Sequence, residues 1–337
     1  MMTQMSDLFS GTYARAGAVT GELWLAALLE VEAALTPDVE IPGPDAFDLT
    51  ELAREGADHA SVVVPLAAAL RERDERAHEG ATSQDILDTA MMLIARRARE
   101  AMLLDTSAAA DAAFGLAHRY RTTPMQARTL LQPALPTSLG LLFAGWGTAT
   151  RRASEALAAV PLPVQMGGPV GHRAPDTAER VATALGLDVL PLAWHGDRTP
   201  VATLGSALAL LAGALGKAAT DVTLMDDVRE GRPGGSSAMP GKQNPVAAIS
   251  VLACARRTRG LAATLLAGVA DAQLQRPAGA WQAEWGTLSD LLTLTASAAA
   301  WGRELLERLA VEPQDIEGDL GASSELIDRA LKEGRRD

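Results

Sequence analysis

Residues 234 to 245 read Gly-Gly-Ser-Ser-Ala-Met-Pro-Gly-Lys-Gln-Asn-Pro, and these types in this order can do chemistry. Gly234 and Gly235 let the backbone visit positive φ. Pro240 and Pro245 hold the segment out of a helix. Ser236, Ser237, Lys242 and Asn244 then set two hydroxyls, a cation and an amide on mobile ground. Such a loop suits closure over an anionic substrate, bringing a hydroxyl to it. A Gly/Ser linker is the rival reading, but a linker needs no Met-Pro-x-Lys-x-Asn-Pro order.

Three further clusters carry polar groups. His78-Glu79-Gly80-Ala81-Thr82-Ser83-Gln84-Asp85 sets an imidazole, two hydroxyls and an amide at a helix start. A helix N-terminus with such side chains is a ready carboxylate site; an ordinary capping turn reads equally well. Arg128-Thr129-Leu130-Leu131-Gln132 offers a guanidinium that can fork onto a carboxylate, against the plainer reading of a surface arginine. In Arg276-Pro277-Ala278-Gly279-Ala280-Trp281-Gln282-Ala283-Glu284-Trp285 the two tryptophans stand four apart, on one helix face. Core packing is the simpler role for them.

Helices must position these groups. Hydrophobic residues are 48% of the chain and aromatic residues only 4%. The apolar content is mostly Ala and Leu, the strongest helix formers, which predicts an all-α protein. Runs without breakers predict helices over 22–35, 83–120, 137–159, 244–270 and 281–309. A helical region lies around 48–74 with a restart at Pro65, and 160–174 is irregular. Ser83 reads as the N-cap of the long helix, with Asp85 in its first turn. Leu204, Leu208, Leu211, Leu215, Ala218, Val222 and Met225 recur at spacings of four and three, a bundle seam. Helices this long exceed what a compact monomer needs and fit a bundle completed by other subunits. The chain divides into an N-terminal helical region with the first polar cluster (1–110), a central long-helix bundle with the second cluster and the Ser loop (111–270), and a short C-terminal helical region (271–337).

Charge and cysteine content narrow the function. The net charge is −12 without a basic block, which argues against nucleic acid or an anionic membrane as partner. A pocket for an acidic ligand must then be basic locally. Cys254 is the single cysteine, so no intrachain disulfide forms. The N-terminus lacks the basic start and apolar run of a signal peptide. The uncharged stretches 129–150 and 201–216 read as buried bundle helices, the second being too short to span a bilayer. These features predict a cytoplasmic protein.

Together the clusters resemble the fumarase/aspartase superfamily. The resemblance rests on Gly-Ala-Thr-Ser-Gln-Asp (80–85), Arg-Thr-x-x-Gln (128–132) and Gly-Ser-Ser-x-Met-Pro-x-Lys-x-Asn-Pro (235–245), and covers about residues 8 to 310. Within the superfamily the chain is most similar to the 3-carboxy-cis,cis-muconate cycloisomerase branch. That finer likeness lies in His78 to Asp85, Leu162-Pro163-Val164-Gln165-Met166-Gly167-Gly168, Trp194-His195-x-x-Arg198 and Gly279 to Trp285. It implies a helical homotetramer around a central bundle of long helices, with each site assembled from three chains. It implies lactonisation of 3-carboxy-cis,cis-muconate to γ-carboxymuconolactone in protocatechuate breakdown, the β-ketoadipate pathway, with no metal or organic cofactor. By carry-over Ser236 exchanges the proton α to a carboxylate, with Lys242 and His78 beside it in the catalytic set. Thr82, Ser83, Gln84, Arg128, Gln132, Ser237, Met239, Asn244 and Arg276 bind the polycarboxylate substrate.

Two positions depart from the pattern. Leu130 stands where amine- or hydroxide-expelling lyases of the superfamily carry His. Those leaving groups want a general acid, whereas a carboxylate leaving group needs little protonation. Leu130 therefore suits a cycloisomerase, although an aromatic residue is usual there. Gly241 gives Met-Pro-Gly-Lys, as in fumarases and aspartases, instead of Met-Pro-His-Lys. Residues 311–337 are also fewer than the superfamily's C-terminal helical domain, implying a reduced lid. A fumarate-releasing β-elimination lyase is the alternative activity, and a non-catalytic helical scaffold the alternative to any activity.

Overall fold

The computed structural model describes residues 15, 19–313 and 315–334; the N-terminal stretch read against a signal peptide lies outside them. Thr20 caps α1 (Gly21–Leu35) through its hydroxyl, which accepts from the Leu23 N–H, and the helix stops two residues before Pro37. A single 3-10 turn (Pro44–Ala46) leads to α2 (Leu49–His59) and α3 (Val63–Arg73). The break between them falls at Ala60, left-handed at φ 49°, and not at Pro65. Pro65 sits in the first turn of α3, where no helical N–H is lost.

The long helix α4 (Ser83–Arg119) starts one residue earlier than a Ser83 N-cap requires. Thr82 is the cap, extended at φ −125°, ψ 160°. Its N–H donates to Asp85 Oδ2 at 3.0 Å, and that reciprocal bond fixes the start. Next comes an antiparallel hairpin, β1 (Pro124–Thr129) with β2 (Gln132–Ser138), that the helical reading of this stretch did not contain. Pro133 and Pro136 have no N–H to donate, and a two-stranded ribbon tolerates that at its edge. The following helix, α5 (Leu139–Ala158), starts at the end of β2. Pro175 opens α6 (Pro175–Leu185) after the irregular stretch.

The bundle is α4, α5, α7 (Thr199–Leu224), α8 (Val246–Asp271) and α9 (Ala280–Glu307). The predicted seam of α7 is buried from Leu204 to Val222, while Met225 lies just past the helix. Gly205 marks a close approach: a Cβ there would stand 2.6 Å from the Leu265 side chain of α8. Among the described helices α7 alone is long and apolar enough to cross a membrane by length and composition. Its length therefore does not exclude a span, as the shorter uncharged stretch suggested. What identifies it as a bundle helix is its seam, packed on α5, α8 and α9. Strand β3 (Val228–Glu230) pairs with β4 (Leu309–Val311), and α10 (Ser323–Glu333) packs on α5. Strands of three residues leave no period to read, which is why they went unforeseen.

One apolar core surrounds α1, α3, the first turns of α4 and the start of α7; a second joins the far ends of α4, α7, α8 and α9. Helices of 26 residues, such as α7 and α8, span about 39 Å. The bundle therefore has two well-separated ends, and its polar clusters divide between them.

Candidate active site

At one end the first cluster is built around Asp85. The carboxylate is fully buried. It accepts from the backbone N–H of Thr82, Gly167 and Gly168, and lies 2.8 Å from His195 Nε2. Gly167 is required there because a Cβ would meet His195 Cε1 at 2.7 Å. Gln84 is buried too. Its amide nitrogen donates to the His195 carbonyl at 2.9 Å, and its oxygen accepts from Arg276 at 3.2 Å. Arg276 also donates to the carbonyls of Gly168 and Pro169. Thr82 and Ser83 stand half-buried at the helix start, whose free N–H groups and dipole favour a carboxylate.

His78 is buried, with φ 59°, and its Nδ1 lies 2.6 Å from Glu32 Oε1 on α1. One turn along α4 from Asp85, Asp88 binds Arg198 at 2.7 Å and accepts from the Trp281 indole N–H at 2.9 Å. Arg198 also binds Glu284 at 2.5 Å. Burial alone would lower the Arg198 pKa, but the charges of Asp88 and Glu284 raise it. Burial pushes the Glu284 carboxyl up, against the pull of Arg198. The Trp281–Trp285 pair packs edge-on at 4.8 Å, as core packing required, yet Trp281 also orients Asp88. Glu32, Asp88, Arg198 and Glu284 were missed as positioning residues. The available signal was charged residues at helix-core spacing, such as Asp85 and Asp88 on one face.

At the other end lies the Ser loop, between β3 and α8. Its base is clasped by paired backbone bonds between Gly234 and Asn244, both 2.8 Å. Buried Glu230 accepts from Ala247 and Ala248, capping α8; burial raises its pKa, and those N–H groups lower it. The Ser236 hydroxyl oxygen accepts from Ala238 N–H at 3.3 Å and Met239 N–H at 3.1 Å. Two converging N–H groups are a nest for an oxyanion. The Asn244 side chain donates to the Gly235 carbonyl at 2.7 Å, so it serves the clasp. Ser237, Met239 and Lys242 are exposed.

The second cluster shares this end. Arg128 on β1 lies 3.8 Å from Asp226 and lines a cavity of about 200 Å³ with Lys217, Asp221 and Asp227. Burial, then the neighbouring Asp226, raises the Asp227 pKa. Gln132 is exposed and pairs with Thr129 across a two-residue turn. That turn is Leu130–Leu131, both left-handed at φ 52° and 64°, and Leu130 is 97% exposed. A hairpin of this length needs positive φ at both turn residues, and Asn-Gly is the usual solution. The structure thus joins Gln84 with Arg276 directly, and brings Arg128 to the Ser-loop end. It does not bring His78, Thr82, Ser83 or Gln84 to Ser236 within one chain.

Known proteins are similar to this chain in sequence and fold. A family model described as Lyase matches residues 9–260. A nitrosuccinate lyase of Streptomyces davaonensis is 40% identical, covering 94% of this chain and 76% of its own length. A 3-carboxy-cis,cis-muconate cycloisomerase of Bradyrhizobium diazoefficiens is 38% identical, over 95% of this chain and 74% of its own. The crystal structure of the 3-carboxy-cis,cis-muconate lactonizing enzyme from Pseudomonas putida superposes with a TM-score of 0.81 at 29% identity, covering 97% and 79% of the two chains.

Proposed function

This chain belongs to the fumarase/aspartase superfamily of lyases, and on that premise we propose that it is a 3-carboxy-cis,cis-muconate cycloisomerase. It closes its substrate to γ-carboxymuconolactone, with Ser236 exchanging the proton α to a carboxylate. The observation that carries this reading is the match, over nearly the whole chain, to enzymes of that activity in both sequence and fold. The chemistry of the clusters agrees with it. Proton exchange α to a carboxylate passes through an aci-carboxylate dianion, which needs preorganised donors and cations. Lys242, Arg128 and Arg276 supply cations, and the α4 N-terminus with Thr82 and Ser83 supplies donors. The nest at Ser236 lowers the cost of its alkoxide. Leu130 donates no proton, which suits a carboxylate as the group expelled in the reverse direction.

The lengths of the helices, which hold the two ends of the bundle apart, support sites drawn from several copies. The Ser loop of one copy meets the α4 start of another in a homotetramer, placed in the cytoplasm. Gly241 and the nitrosuccinate lyase relative favour a second reading, β-elimination from a substituted succinate. Nitrite, like carboxylate, leaves without a general acid. Purified protein with 3-carboxy-cis,cis-muconate should bleach the diene absorbance. No bleaching, with nitrite and fumarate released from nitrosuccinate instead, selects the second reading.

A further inference from the structure

Two imidazole–carboxylate pairs flank the first cluster, and their hydrogen bonding differs. In the Asp85–His195 pair both carboxylate oxygens are taken up by loop N–H groups, so the pair fastens loops. In the Glu32–His78 pair Glu32 is wholly buried; Oε1 meets His78 Nδ1 at 2.6 Å, and Oε2 has no partner among the described residues. An unsatisfied buried carboxylate oxygen costs stability. So does a left-handed backbone at a residue other than glycine, and such strain gathers at functional positions. His78 carries it at φ 59°.

With Nδ1 bound to a carboxylate, the neutral ring keeps its proton on Nδ1, and Nε2 on the opposite edge is a bare acceptor. No described residue takes up Nε2. Ser236, for its part, has a nest for its anion, and among the described residues no basic side chain is bonded to its hydroxyl. We infer that Glu32 is a positioning residue that presents His78 Nε2 as the acceptor for the Ser236 hydroxyl proton of another copy. In the elimination direction the Ser236 O–H bond breaks and its proton goes to Nε2. The alkoxide then takes the substrate's α-proton, which restores the serine hydroxyl, the leaving group departs unprotonated, and the imidazolium, opposite the Glu32 charge, gives its proton to solvent. In the addition direction the same transfers run backwards. This inference rests on the proposed site shared between copies.

The test uses Glu32→Gln, His78→Gln and Ser236→Ala in the full-length protein, assayed on whichever substrate the wild type turns over. His78→Gln should lower kcat by roughly 10²–10⁴ with KM little changed. Glu32→Gln should lower kcat about tenfold or more, and the double variant should be no worse than His78→Gln alone, as expected of groups acting as a unit. Unfolding His78→Gln and Ser236→Ala together and reassembling them should recover activity, because some sites then draw both intact residues from different copies. Unchanged kcat in Glu32→Gln or His78→Gln, a loss confined to KM, or no recovery on mixing overturns the inference. A two-bond ¹H–¹⁵N spectrum of histidine-labelled wild type needs no substrate and separates this inference from the functional reading. It should show His78 protonated at Nδ1; a proton on Nε2 alone overturns the inference even if cycloisomerase activity is found. Wild type without activity on either substrate refutes the functional reading and, with it, the serine's role.

Discussion

At the α4 end of the bundle Asp85, Gln84 and Arg198 are buried and bonded on every side. At the Ser-loop end Ser237, Met239 and Lys242 stand in solvent, and among the described residues Ser236 bonds to its own loop. The contrast separates two tasks. A carboxylate-binding turn gains from rigidity, because donors fixed in advance need no reorganisation. A loop that closes over substrate must break few contacts to move. The same groups that order the α4 end therefore stabilise the fold, whereas in the loop Asn244 serves the clasp and the side chains of Ser237, Met239 and Lys242 stand in solvent.

Four predictions break or sharpen that contrast. Ser236→Ala should cut turnover by more than a thousandfold, as loss of a reacting serine does, and leave Tm and the oligomer unchanged; a fall in Tm would show that the loop is structural after all. Arg198→Ala should destabilise by about 3–5 kcal/mol, since Asp88 and Glu284 would remain buried without their cation, as read from denaturant unfolding. Replacing Leu130–Leu131 by Asn-Gly should raise stability, because each left-handed residue costs roughly 1–2 kcal/mol. A simultaneous loss of turnover would show that the leucines are kept for the reaction.

The smallest effect is expected at Asp227, whose carboxyl is buried and shifted upward. Below the ordinary aspartate range both folded and unfolded states hold the proton, so the shift has no effect on stability there. As pH rises the unfolded chain ionises first, the folded chain binds the extra proton, and stability declines until the folded group also ionises. Asp227→Asn should remove that decline. Its Tm should exceed wild type by on the order of a degree at neutral pH and match it in acid. Equal Tm values at both pH extremes would show that the carboxyl carries no such cost.

Much of this was legible in the residues. The seam from Leu204 to Val222 is periodic over many turns and the long run after Thr82 holds no breaker, and signals of that length survive tertiary context. The hairpin at 124–138 was not legible. Its prolines signal a break but not a strand, and its Leu-Leu turn violates the usual turn chemistry. Gln84 and Asn244 stood out by motif as candidate site residues, but their partners in the fold did not. The His195 carbonyl stands 111 positions from Gln84 in the chain. No local rule reaches that far.

Sequence alone determined the all-α bundle, the serine loop and the absence of a proton donor at Leu130, because residue type and short spacing decide these. Only the tertiary structure decided which polar groups are spent on holding the fold and which remain free. Burial and long-range pairing set that division: they took up both oxygens of Asp85 and left one oxygen of Glu32 without a partner among the described residues. They also set the Ser loop and the second cluster at one end of 26-residue helices and the first and third clusters at the other.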